Sequence, residues 1–205
     1  MYYRKMPRYP GTRLQWANTS PLQSNAFTCG FCGNQVASST GYFASPEGGG
    51  VGAYLLVCHL CTRPTLFEQG GQFPGVAFGE LVDGISDKRL SDLYEEARRT
   101  TSASAYTAAV LCCRKLLMHI AVEKGASQGL SFVKYVEYLA EKNYIPPDAK
   151  SWVDHIRTKS NEANHEIVMM SKTDAEELVS FSEMLLKVIY EFPAAIKRRM
   201  EKPSK

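Results

Sequence analysis

The sequence lacks a long apolar run: no segment holds 18 or more consecutive apolar residues, so no transmembrane helix is expected. The first ten residues, MYYRKMPRYP, have no apolar stretch after their basic residues and do not read as a secretory signal. Cysteine is scarce, with six residues, and paired thiols beside an adjacent Cys112 and Cys113 are typical of a reducing cytoplasm. We therefore expect a globular cytoplasmic protein with no membrane partner, as the 44% hydrophobic and 22% charged composition indicates.

Acidic residues are absent from the first 25 positions, which carry four basic side chains: Arg4, Lys5, Arg8 and Arg13. Residues 193–205 carry five basic residues and one acidic residue, which leaves a net charge of about −5 for residues 26–192. Basic ends on an acidic body predict contact with a polyanion or an acidic protein, although a solvated tail has the same composition. Three tyrosines among the first nine residues favour a nucleic-acid-binding arm, because tyrosine rings stack on bases.

Four of the six cysteines form two C-x-x-C pairs, Cys29 with Cys32 and Cys58 with Cys61, which are 25 residues apart. Two residues between thiols let both sulfurs of one turn reach the same metal ion, and a second such turn completes a tetrahedral site. The sequence between the pairs predicts one β-hairpin, with strands at 35–44 and 53–57 joined by a glycine-rich turn at 47–52.

We predict a zinc ribbon that holds one structural zinc ion per chain, because four protein ligands leave no open position for water. Two disulfides are the alternative arrangement of the same cysteines. His59 could replace a cysteine as a ligand, although four thiolates already fill the site. Any chemistry must then come from another part of the chain.

The predicted fold class is α+β: a small N-terminal β zinc ribbon followed by an antiparallel all-α bundle of about five helices. Composition divides the chain into a basic, tyrosine-rich arm (1–25), the ribbon (26–68), a connector rich in glycine and proline (69–86), the helical bundle (87–193) and a basic tail (194–205). After the connector, glycine and proline become rare and apolar residues recur at helical spacing. The predicted helices span Asp87–Thr100, Ser104–Lys124, Ser131–Lys142, Asp148–Ile167 and Thr173–Phe192.

Local signals mark the ends of several helices. Gly125 is a natural C-cap residue for the second helix, which is the most apolar and should be central. Thr173 and Glu176 have the spacing of a capping box at the start of the fifth helix. Pro193 is expected to end or kink that helix.

The fourth predicted helix carries four polar residues on one stripe of roughly 100° at about 100° per residue: Arg157, Asn161, Asn164 and His165. A cation, two amides and an imidazole on one wall can grip a phosphate and transfer a proton. The same side chains can instead tie helix ends and backbone together through hydrogen bonds. Arg114, in the apolar second helix, is open to two similar interpretations: a partner for an acid or carbonyl, or a phosphate contact.

The segments AYTAAVLCCRKLL and IRTKSNEANH resemble domain-of-unknown-function family 4145, with LSDLYEEARRT and VIYEFP at the edges of the resemblance. The likeness covers roughly residues 88–193, and its most specific part is the pattern of Arg157, Asn161 and His165. The family looks similar to the HEPN superfamily of helical bundles. The resemblance implies either a dimeric, metal-independent endoribonuclease or an inactive binding module, in a bacterial or phage defence setting.

The sequence departs from the family pattern at three points. Met118 stands where a glutamate is usual four residues after the arginine of the second helix, and Ser160 stands where a glycine commonly precedes the asparagine. Seven residues separate Arg157 from His165, more than is typical of active HEPN nucleases. Lys159, with five residues before His165, could supply the cation instead.

We therefore expect a non-catalytic, zinc-containing interaction and dimerisation module with nucleic-acid contact, in a phage–host or bacterial defence setting. The alternative is a HEPN-type endoribonuclease in which His165 transfers protons, Arg157 stabilises phosphate charge, and Asn161 and Asn164 orient the scissile group; Lys159 and Arg114 would add phosphate contacts. The expected partners are a second copy, bound through the helical half, and another protein, RNA or DNA. The predicted dimer face consists of Phe181, Met184, Leu185, Val188 and Ile189.

Overall fold

The chain forms two compact units, one ending at Ala77 and the other beginning at Phe78. The structure, a computed structural model, describes residues 19–45, 52–146 and 169–201. No helix in those ranges is both long enough and apolar enough to cross a membrane. A β unit followed by a helical unit agrees with the predicted α+β class.

The first unit is a five-stranded antiparallel sheet in which each strand pairs with the next along the chain. The predicted hairpin is confirmed, since the second and third strands have the predicted limits and pair with each other. The predicted turn at 47–52 lies almost wholly outside the described residues. The strands are β1 (Ser20–Thr28), β2 (Gln35–Ala44), β3 (Ala53–Val57), β4 (Pro64–Glu68) and β5 (Gly71–Phe73).

The sheet extends beyond that hairpin at both ends of the unit. β1 begins at Ser20, in a stretch that the sequence predicted to have low regularity. Its pairing with β2 shifts register between Pro21 and Asn25. β1 is an edge strand, where a proline is tolerated. β5 lies in the predicted connector, where it pairs with β4.

The second unit consists of α1 (Lys88–Ser102), α2 (Tyr106–Glu123), α3 (Phe132–Glu141) and α4 (Lys172–Leu186), which continues through a π-helical segment (Lys187–Glu191) into α5 (Phe192–Met200). α4, the π-helical segment and α5 form one uninterrupted helix. The described residues therefore contain four separate helices, whereas the sequence predicted about five. The predicted helix at 148–167 lies outside the described residues.

The predicted helix starts are close to the observed ones because local capping sets them. The Asp87 carboxylate accepts the Arg89 N–H at 2.8 Å at the start of α1. The predicted capping box before α4 is misplaced by two residues. Ser171 Oγ accepts the Asp174 N–H at 3.2 Å, and the Asp174 carboxylate accepts the Ser171 N–H at 2.9 Å. The Ser171 pair has the same spacing as the predicted one and lies one half-turn earlier.

The predicted end of the last helix near Phe192 is also wrong, since α5 carries the helix on to Met200. Proline lacks an N–H and its ring clashes with a carbonyl one turn earlier in a regular helix. Here a π-helical turn precedes Pro193, and the Phe192 N–H bonds to the Lys187 carbonyl. The wider turn changes the spacing before the proline, so the helix continues past it.

The core of the second unit forms around α2, as its apolar sequence predicts. Leu116, Leu117 and Ile120 of α2 are fully buried among side chains of α1, α3 and α4. Cys113 is also fully buried, and this burial raises its pKa to about 12. It is therefore a small apolar core residue at neutral pH.

Residues 78–84, predicted as part of the connector, form a strap that is hydrogen-bonded to the helices. The buried Arg98 of α1 donates to the Phe78 carbonyl at 3.0 Å and to the Gly79 carbonyl at 2.6 Å. The same guanidinium pairs with Glu95 at 2.8 Å. A buried cation with three acceptors is satisfied, so Arg98 holds the beginning of the strap against α1.

The strap is also tied to α4 through Glu183. Its carboxylate accepts the Glu80 N–H at 2.8 Å and an ion pair from Lys187 at 2.7 Å. Burial opposes ionisation of this group, but the hydrogen bonds from Lys187 and from the Glu80 N–H outweigh it and lower the pKa of Glu183. Tyr94 completes the attachment by donating to the Glu80 carbonyl at 2.9 Å.

Candidate metal centre

Each C-x-x-C pair lies in a tight turn with the same hydrogen-bond pattern. In the first turn, the Cys29 N–H donates to the Asn34 carbonyl at 2.9 Å and the Gly33 N–H donates to the Cys29 carbonyl at 2.8 Å. In the second, Cys58 bonds to the Arg63 carbonyl at 3.0 Å and receives the Thr62 N–H at 2.8 Å. The two turns are therefore equivalent half-sites, each of which presents two sulfurs.

The turns bring all four sulfur atoms within 4.8 Å of one another. The Sγ atoms of Cys29 and Cys61 are 3.7 Å apart, and those of Cys32 and Cys58 are 3.9 Å apart. Four sulfurs around a metal at about 2.3 Å define a tetrahedron with edges of about 3.8 Å. A disulfide needs about 2.05 Å, and all four thiols are free. The cluster could therefore hold a metal ion.

The cluster is enclosed by its own unit. Cys29 and Cys58 are fully inaccessible to solvent, Cys61 is 6% exposed, and Cys32 is half-buried. Val36 is buried in the same cluster, and Phe27 and Phe31 pack against it. With four protein sulfurs and this cover, an ion there would have no open position for substrate, which is the property of a structural site.

The protonation of the thiols differs across the cluster. Burial raises the pKa of both Cys29 and Cys61. Burial acts in the same direction on Cys32, but hydrogen bonds from the Asn34 side chain and backbone outweigh it and lower its pKa. Metal ligation requires thiolates, so binding must release protons and is expected to strengthen as pH rises.

Gly30 and His59, which each follow the first cysteine of a pair, have structural roles that the sequence alone does not indicate. A Cβ atom on Gly30 would lie 2.3 Å from the Pro74 carbonyl oxygen, so only glycine allows the chain after β5 to pass over the first turn. Gln72 supports this approach by donating to the Thr28 carbonyl at 2.8 Å. His59, in the corresponding position of the second turn, donates from Nδ1 to the Ala37 carbonyl at 3.2 Å.

The predicted polar stripe and basic arm lie outside the described residues, so their roles stay predictions. These residues are Arg157, Lys159, Asn161, Asn164 and His165 of the stripe, and Arg4, Lys5, Arg8 and Arg13 of the arm. Of the predicted phosphate ligands, only Arg114 is described. Its guanidinium carbon lies 4.7 Å from the centre of the Phe132 ring, and partial burial lowers its pKa.

Comparison with known proteins places the second unit in a family and leaves the first unit unmatched. Residues 95–202 match the family described as Domain of unknown function (DUF4145). That range begins slightly later and ends slightly later than the resemblance seen in the sequence. No curated protein and no solved structure matches the chain. Since the family match covers more than half of the 205 residues, the chain belongs to the DUF4145 family.

Proposed function

We propose that the protein is a non-catalytic interaction module whose first unit is held together by one zinc ion. The observation that carries the metal assignment is the sulfur spacing of 3.7 and 3.9 Å across the two turns. Four thiolates in a tetrahedral arrangement favour zinc over hard cations such as Mg²⁺ or Ca²⁺, which prefer oxygen ligands. Elemental analysis of the reduced, purified chain should find about one zinc per chain. Zinc-free folded protein would contradict the assignment.

The interaction role is supported by an apolar stripe on the last helical rod, which we name the C-terminal stripe. It consists of Met184, Val188, Phe192, Ile196 and Met200, one every four residues. Phe192, Ile196 and Met200 are 54%, 55% and 81% exposed. Met184 and Val188 are half-buried, and three large exposed apolar side chains that follow them on one helix are typical of an interaction surface.

The C-terminal stripe differs in part from the dimer face predicted from the sequence. Phe181 and Leu185 belong to the fully buried core of the unit, and Ile189 packs against that core. Phe181 and Leu185 are therefore covered within one chain, whereas Ile189 is half-buried. Met184 and Val188 remain at the surface edge, and α5 continues the face toward the C-terminus.

We propose that a second copy of the chain covers the C-terminal stripe in an antiparallel arrangement. The first turns of α4 are acidic, with Asp174, Glu176 and Glu177, whereas α5 carries Lys197, Arg198 and Arg199 in succession. Antiparallel packing about Val188 would bring the basic end of one copy beside the acidic start of the other. Opposite charges at both ends favour this orientation over the parallel one.

Light scattering at micromolar concentration tests the self-association. The parent chain should have twice the single-chain mass of 22.8 kDa. Phe192→Glu should give the single-chain mass, because it places a charge within the apolar contact. Leu111→Glu is the matched control, since Leu111 is 59% exposed on α2 and lies outside the stripe. A monomeric parent, or equal effects of the two substitutions, would rule out this interface.

The biological setting rests on the family resemblance alone. A role in phage–host conflict or bacterial defence is supported by the likeness of the polar motif around Asn161 to that of the family. Survival of bacteria carrying the intact gene or a deletion, after challenge with a panel of phages, tests this setting. Equal survival of the two strains would argue against it.

A further inference from the structure

One face of the sheet carries a row of three aromatic side chains, which we name the aromatic row: Phe43 of β2, Tyr54 of β3 and Phe67 of β4. Phe43 is directly paired with Tyr54, and Tyr54 is directly paired with Phe67. Directly paired residues of antiparallel strands point to the same side of a sheet, and neighbouring strands are about 4.8 Å apart. The three rings therefore stand side by side across the hairpin end of the sheet.

One end of the aromatic row is exposed to solvent and the other end is braced. Phe43 is 55% exposed, and Tyr54 and Phe67 are half-buried. Phe27 of β1 packs edge-on against Phe67, with ring centres 5.2 Å apart and an angle of 76° between the planes. This contact fixes one end of the row, and the exposed ring of Phe43 leaves the other end free for a ligand.

The chain segment of the first unit is basic in sequence, mainly through Arg4, Lys5, Arg8 and Arg13 of the arm, which lie outside the described residues. Positions 1–77 contain five basic residues and two acidic ones, whereas the remainder contains 19 of each. The whole net charge of +3 therefore belongs to the chain segment of the first unit. Within the described part of that segment, the charged side chains are Arg63 and Glu68. The row itself is thus nearly uncharged, so ring stacking would supply most of its contact with a ligand.

We infer that the aromatic row binds single-stranded nucleic acid by stacking unpaired bases on its rings. Flat aromatic side chains arranged across a sheet are the means by which several single-strand-binding folds hold successive bases. Stacking tolerates any base, so the site selects strandedness rather than sequence. A duplex keeps its bases inside and offers no ring face to the row. The inference does not depend on self-association through the C-terminal stripe.

Fluorescence anisotropy with the full, metal-loaded chain tests the site. The probes are labelled oligothymidylate and oligouridylate of about ten nucleotides, the range that one small β fold occupies. Phe43→Ala and Tyr54→Ala should each weaken binding by between about fivefold and a hundredfold, as loss of a base-stacking ring does. Phe43→Trp should retain parental affinity because it keeps a stacking face.

Phe73→Ala is the matched control. Phe73 is 59% exposed, close to the value for Phe43, but it pairs with Leu66 in the row on the opposite face. We expect Phe73→Ala to bind like the parent, and unlabelled duplex DNA to compete poorly. Metal content per chain, measured for each variant, shows that the sheet remains folded. No binding by the parent, equal losses for Phe43→Ala and Phe73→Ala, or row-dependent binding of a proline-rich peptide instead of the oligonucleotides would overturn the inference.

Discussion

The two units are held together by different means. Among the described residues of the second unit, 22 buried residues form one continuous apolar core. In the described part of the first unit, the corresponding cluster has four buried residues, and three of them are cysteines. A small sheet cannot bury enough apolar surface to offset the entropy of ordering its chain. If the cysteine cluster binds the proposed zinc ion, sulfur–metal bonds would supply in the β unit what side-chain packing supplies in the helical unit.

The largest expected effect comes from removing one metal ligand. Cys58→Ser should abolish stoichiometric metal binding and unfold the sheet, because structural zinc contributes about 10–16 kcal/mol in comparable small sites. The helical signal in far-UV circular dichroism should persist. Cys112→Ser, a half-buried cysteine of the second unit, is the control and should keep its metal. Collapse of both units in Cys58→Ser would show that their stabilities are not separable.

A smaller effect is expected from breaking the strap of the helical unit. Arg98→Met should lower the free energy of unfolding by about 3 kcal/mol, because it leaves two carbonyls without their charged donor. Denaturant unfolding followed at the helical signal measures the change. Arg99→Met is matched, since Arg99 bonds to the same Glu95 at 2.9 Å but is exposed, and should cost less than about 1 kcal/mol. Equal costs would mean that Arg98 contributes only as a surface charge.

The first cysteine turn contains two glycines. Gly30 is required because a side chain would collide with a neighbouring segment, and Gly33 is required because of its backbone conformation. Gly30→Ala introduces a methyl group against the Pro74 and Gly75 carbonyls, so it should displace that segment and strongly lower the melting temperature of the sheet. Gly33→Ala meets no atom within 4 Å but must adopt a φ of +71°, which costs about 1–2 kcal/mol. Calorimetry of the metal-loaded chain should rank Gly30→Ala as the more damaging. The reverse order would show that backbone conformation matters more than the close approach.

The stability of the helical unit should depend on pH through the carboxylate of Glu183. The pKa of Glu183 is lower in the folded state than in the unfolded chain, so its contribution is present above the unfolded value of about 4.3. That contribution is lost as pH falls through the folded pKa. Acid titration of the helical unit should therefore be shallower in Glu183→Gln than in the parent. An unchanged acid profile would indicate that Lys187 does not stabilise the ionised carboxylate.

The smallest effect is expected from His165. For a non-catalytic module, the parent should leave RNA intact, and His165→Ala should lower the melting temperature of the helical unit slightly through lost hydrogen bonds. Gel analysis of labelled RNA and thermal unfolding measure the two quantities. RNA cleavage by the parent that His165→Ala reduces by about 10²–10⁴-fold would instead establish the endoribonuclease.

Local signals in the sequence predicted the parts of the fold that depend on neighbouring residues. The paired cysteines, the β2–β3 hairpin and the glycine that ends α2, Gly125, each follow from a few consecutive residues. The capping box was misplaced because two overlapping segments have the same spacing. The predicted end of the helix near Phe192 was wrong because the π-helical turn that accommodates Pro193 has no sequence signal.

Contacts between distant residues were not predictable in the same way. Glu80 and Glu183 are 103 residues apart, and neither residue type nor spacing indicates that the strap is bonded to α4. β1 was missed because its sequence, SPLQSNAFT, has polar residues and a proline where an alternating strand would be apolar. The role of Gly30 likewise depends on Pro74, which is distant along the chain.

The equivalence of the two cysteine turns bears on how this chain can change in length. Each turn is closed by its own backbone hydrogen bonds, and the Gly52 N–H bonds to the Ala44 carbonyl beside the strands that connect them. Extra residues at the tip of that hairpin would enlarge a loop without moving any sulfur. Doubling such a loop costs only about 0.6 kcal/mol. The distance in sequence between the cysteine pairs is therefore free to vary, whereas the two residues within each pair are not.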